Sequence, residues 1–76
     1  MPTADLVREK ALSLAEAGAV SEDAIREVLE YCEDRRVAVV LARQHLVEEQ
    51  VARPSDPVLS RAVELLDRVL ERLPVD

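Results

Sequence analysis

Seventy-six residues, 49% hydrophobic and 34% charged with a single Gly, describe one small helical domain rather than a disordered tail. A net charge of −6 repels phosphate backbones and anionic lipid alike, so direct nucleic-acid binding and membrane-surface binding are not expected. One Cys excludes an internal disulfide, and with no secretory signal or apolar run of about 18 residues the expected location is cytoplasmic.

The first helix is expected over residues 4–17. Thr3 is placed to cap it, and Asp5 carries negative charge into the first turn, where the macrodipole favours it. Val7, Ala11 and Leu14 recur at helical spacing, flanked by Leu6 and Ala17, and Gly18 suits the left-handed stop. Leu12 points off that face, toward a second contact.

Ser21 then caps a second helix, expected over 22–34. Ile25, Val28, Leu29 and Cys32 follow the i, i+3, i+4, i+7 pattern, and the opposite side carries Glu27, Glu30, Glu33 and Asp34. Between Glu22 and Asp34 six acids face only Arg26, a local charge of −5. Such a stripe steers a basic partner by long-range attraction, or is an ordinary solvated helix face.

A third helix is expected over 35–52, with a hinge at Glu33-Asp34-Arg35-Arg36 separating it from the second. Val37 to Ala42 is an unbroken apolar run that fills every direction of a helical wheel, which predicts burial on all sides. The alternative, a short buried strand, finds no second strand pattern to pair with.

Arg53-Pro54-Ser55-Asp56-Pro57 breaks the chain. Asp56 caps a fourth helix, expected over 57–73, with Pro57 at the first helical position and Pro74 as the stop. Its apolar residues fill an arc of roughly 160° at 100° per residue, wide enough for two neighbours. Arg61, Glu64, Arg68 and Glu71 are spaced for alternating ion pairs on the other side.

The expected fold is therefore all-α, a small three- or four-helix bundle completed by dimerisation, because this much apolar helix surface exceeds what a monomer of this size covers. The residues assigned to self-association are Val37, Val40, Leu41, Leu59, Val63, Leu66 and Leu70.

Catalytic chemistry finds little support. One Gly rules out a Gly-rich phosphate loop, and none of Ser13, Ser21, Ser55 and Ser60 lies in a nucleophile motif. Cys32 sits in an apolar stripe beside carboxylates that oppose a thiolate, so it reads as core packing. His45 has Glu48 and Glu49 one turn away, but the Glu-x-x-His order of di-metal bundles is absent. A metal site would need a dimer to double these ligands. Leu14 to Leu29 has the outline of a helix-turn-helix, yet its recognition helix would present carboxylates to a groove lined by phosphates. No enzyme activity, cofactor or metal is expected.

Ser21-Glu22-Asp23-Ala24-Ile25-Arg26-Glu27-Val28-Leu29-Glu30-Tyr31-Cys32 resembles the helical end of a small prokaryotic domain family of unknown function. Its members often accompany PIN-type ribonuclease toxins and are regarded as their antitoxins. The resemblance spans Gly18 to Gln50. It implies neutralisation of a partner protein by direct binding, and it transfers no catalytic residue. The DNA-binding segment expected ahead of that region is not found in the chain, and the last helix has no counterpart in the family.

The function expected from these features is non-enzymatic: a self-associating acidic bundle that binds a partner protein, the partner being basic. The alternatives are an antitoxin-like or transcription-associated regulator, and a metal- or ligand-binding bundle.

Overall fold

Local capping chemistry sets the ends of four helices in the computed structural model, which describes residues 3–73: α1 (Thr3–Glu16), α2 (Glu22–Leu29), α3 (Arg35–Ala52) and α4 (Pro57–Arg72). No strand occurs among the described residues. Thr3, expected as a cap, is already helical; its side chain and Pro74 lie outside the described residues.

α1 closes as the sequence predicts. Gly18 takes φ 71°, and its N–H donates to the Ala15 carbonyl at 3.2 Å while the Ala19 N–H reaches back to Leu14 at 2.9 Å. These two bonds form a Schellman motif and occupy carbonyls that the helix end would otherwise leave free. An added Cβ on Gly18 would meet no atom within 4 Å, so Gly18→Ala should lose only what the left-handed backbone imposes on an L-residue. That is about 1 kcal/mol, read as a lower urea midpoint; an unchanged midpoint would show that the turn relaxes freely.

Ser21 caps α2, its Oγ accepting from the Ala24 N–H at 3.3 Å. Asp56 caps α4, accepting from the Val58 N–H at 2.9 Å, with Pro57 at the start of the helix.

α2 is shorter than expected, ending at Leu29 rather than at 34. Tight i+3 bonds follow, from Tyr31 N–H to Val28 and from Cys32 N–H to Leu29. Asp34 then adopts an extended backbone and accepts from the Val37 N–H at 3.1 Å, starting α3. The hinge thus lies over 30–34, and Asp34 works as a helix cap as well as a member of the acidic stripe.

α1, α3 and α4 pack against one another in all three pairings, and α2 lies across α1 and α4. The radius of gyration, 11.4 Å, is that of a fully compact chain of this length. Val7, Ala11, Ala15, Ile25, Leu29, Val39, Ala42, Leu46, Leu66 and Val69 fill the centre. Leu12 is half-buried against this same cluster. The core contains no aromatic ring; Tyr31 is 82% exposed.

Burial of α3 on all sides does not occur. Ala38, Val39 and Ala42 are buried, but Val37, Val40 and Leu41 stand at 50%, 42% and 42% exposure. The reason is geometric: α1 and α4 cover one side of α3, and α2, only eight residues long, packs on α1 and α4 instead.

Among the described residues three ion pairs join different helices: Arg8 Nη1 to Glu49 Oε1 at 3.1 Å, Arg72 Nε to Glu22 Oε1 at 3.3 Å, and Arg43 to Asp67. Glu22 Oε1 is buried without a well-aligned donor, so Arg72 supplies it with charge rather than a hydrogen bond. Partly exposed pairs of this kind contribute about 0–1 kcal/mol each. The pairs expected among Arg61, Glu64, Arg68 and Glu71 do not form among the described residues.

Candidate functional site

Of the seven exposed large hydrophobic side chains among the described residues, four (Val37, Val40, Leu41 and Val51) lie on α3. Val37, Val40, Gln44, Val47 and Val51 recur at intervals of three, four, three and four residues, the spacing of a coiled-coil seam. On a helical wheel this seam lies roughly opposite Val39, Ala42 and Leu46, which are fully buried against α1 and α4. Val47 is half-buried and Val51 is 80% exposed. A shallow groove of about 330 Å³ runs between this face and α4, lined by Val40, Arg43, Gln44, Val47, Asp67 and Leu70.

The sequence-assigned association residues divide accordingly. Val37, Val40 and Leu41 lie exposed on α3, and Leu70 borders the same groove. Val63 is half-buried against the core. Leu59 and Leu66 are a correction: at 3% and 0% exposure they belong to the chain's own core and have no surface to offer. The arc of α4 is wide because it serves α1, α2 and α3 together.

Gln44, Val47 and Val51 were absent from the sequence assignment. Their 3-4 spacing was readable, but Val47 lies beside Leu46, and the run Val37–Ala42 masks the start of the seam by filling every direction.

Glu27, Glu30, Glu33 and Asp34 are all exposed. None of them forms an ion pair among the described residues. A second shallow groove lies beside this region, between α1 and the end of α2, lined by Leu6, Glu9, Lys10, Ser13, Val28 and Tyr31.

Cys32 is buried in the core cluster, its Sγ 3.7 Å from the Val28 carbonyl. Its surroundings are those of a small hydrophobe. His45 is exposed at a recess shared with Asp5, Arg8, Glu48, Glu49 and Ala52. Glu49 is already engaged by Arg8, and no group of three or more potential metal ligands assembles among the described residues.

Fold and surface together define an all-helical bundle of four helices with exposed valines on the outer side of α3. No described helix is long and apolar enough to cross a membrane. No protein-family model, curated protein or solved structure matches the chain.

Proposed function

We propose that this chain is a non-enzymatic protein-interaction module. It self-associates through the outer face of α3 and presents its acidic stripe to a basic partner protein in the cytoplasm. The observation that supports the reading above all is the exposed valine seam of α3, flanked by Leu41 and Leu70. Exposed Val37, Val40, Leu41 and Val51 on one helix of a chain this small and this charged support an interaction site.

The division of labour follows from physics. Burial of apolar surface supplies most of the affinity. Unpaired carboxylates at Glu27, Glu30 and Glu33 supply steering and orientation, which salt weakens.

Light scattering over a concentration series, with circular dichroism on the same samples, tests the self-association. The expected result is a helical protein at twice the 8.5 kDa chain mass. A mass that stays at one chain at every concentration overturns it.

The stripe has a separate test. Glu27→Lys with Glu30→Lys should leave the unfolding free energy from urea titration within about 0.5 kcal/mol of wild type, because both side chains are exposed and unpaired. The same double variant should weaken capture of a basic partner, and the difference from wild type should shrink as salt is raised. Equal binding by both forms at low salt would remove the steering role.

A further inference from the structure

We infer that the groove between α1 and the end of α2 is the docking site for a basic amphipathic helix of a partner protein. The inference rests on the acidic-stripe reading proposed above, and it names the surface and the form of the partner.

Two helix faces build the groove. Leu6, Glu9, Lys10 and Ser13 follow i, i+3, i+4, i+7 along α1 and form one wall, and Val28 and Tyr31 form the other. The space between them is about 390 Å³. α2 ends at Leu29, and Leu6 and Tyr31 stay 46% and 82% exposed. Tyr31 is the only aromatic residue of the chain, and it lies at this edge rather than in the core. Apolar and aromatic side chains left open between two helices fit the apolar stripe of a third.

Charge selects the kind of helix. At about 100° per residue Glu9 and Glu16 flank Ser13 on the outer side of α1, and Glu27 lies about 40° from Tyr31 on the outer side of α2. All three carboxylates are exposed, and none forms an ion pair among the described residues. Acids therefore border the groove on both sides, where arginines or lysines on the two flanks of a bound helix would meet them. The open ring of Tyr31 offers its face to one of those cations as well. Lys10 is the one base in the lining. It is half-buried and falls between Leu6 and Leu14 on the wheel, on the inner side, where its stem adds apolar wall. The outer rim is acidic.

Fluorescence anisotropy of a labelled peptide tests this on the full chain. The probe is a helical peptide of about fifteen residues, with leucines at i, i+3, i+4 and i+7 and arginines on both flanks. Saturable binding is expected, and a scrambled peptide of the same composition should bind far more weakly. Leu6→Ala and Tyr31→Ala should each weaken binding about fivefold, as truncation of a contact residue at the centre of an interface does. Both side chains are exposed, and an unchanged circular dichroism spectrum shows each variant folded. Glu27→Lys should weaken binding as well, with a deficit that salt removes. Binding reduced by Glu27→Lys, yet unaltered by Leu6→Ala and Tyr31→Ala, would overturn the groove and leave the acidic-stripe reading intact. Binding indifferent to Glu27→Lys would overturn both. Equal binding of the scrambled peptide, or no binding of either, would overturn the groove. So would binding lost in Val40→Asp and kept in Leu6→Ala, which belongs to α3. A wild-type dimer mass that Tyr31→Ala reduces to one chain would put a second copy in the groove and overturn the partner helix.

Discussion

Leu66→Ala should remove about 2–5 kcal/mol from the fold, the range for truncating a fully buried leucine. Leu66 is 0% exposed and belongs to the central cluster where α4 meets its neighbours. Its loss removes the transfer free energy of the deleted atoms and leaves a cavity that the surrounding helices close only in part. A chain of this length has roughly 4–11 kcal/mol of stability in total, at 0.05–0.15 kcal/mol per residue. The variant should therefore melt at least about 8 °C below wild type, since each kcal/mol shifts a domain of this size by about 4–8 °C. The loss should be present even at the lowest protein concentrations, because the contacts lie within one chain. Leu41→Ala is the matched control. Leu41 is 42% exposed, and its truncation should cost the single chain less than about 1 kcal/mol. A Leu66→Ala loss no larger than that of Leu41→Ala would contradict the packing described for α4.

The ends of the helices were legible because capping chemistry is local. Ser21, Gly18 and the Asp56-Pro57 pair each act on backbone groups within a few positions, and the sequence around them points one way. Asp34 was harder to read as a cap. It sits in a run of four charged residues, and Val37 stands where a Glu or Gln would complete a capping box.

Burial was legible only where the apolar pattern has one direction. The pattern Ile25, Val28, Leu29 and Cys32 leaves one way to face, and these residues face inward. Val37 to Ala42 leaves every way open, so the inner side of α3 is decided by α1 and α4 rather than by α3 itself. The same holds for the broad arc of α4. Leu59 and Leu66 differ from Val63 and Leu70 by less than a quarter-turn of the wheel, and only the positions of the neighbouring helices separate core from edge. The acidic stripe was legible as exposed carboxylates, since charged side chains without partners stay in water.

Val40→Asp should abolish self-association while leaving the bundle folded. Val40 is 42% exposed and lies away from the inward-facing Val39, so in a single chain the new carboxylate remains hydrated. Valine and aspartate also differ little in helix propensity, and the helical signal should be unchanged. In the self-associated pair the same carboxylate would lie inside the α3 contact, and a two-fold arrangement would bring one from each copy. Arg43, one turn along, is engaged by Asp67 and is not free to neutralise it. An unpaired charge buried at a contact typically costs about 3 kcal/mol or more, so the dimer should dissociate more than about 100-fold more readily. Light scattering should then report one chain mass where wild type reports two. An unchanged mass would move the contact off this side of α3. Paired with Leu66→Ala, the substitution separates two uses of apolar surface in one small chain: Leu59, Leu65, Leu66 and Val69 of α4 serve the fold, whereas α3 would divide its apolar residues between the fold and a second molecule.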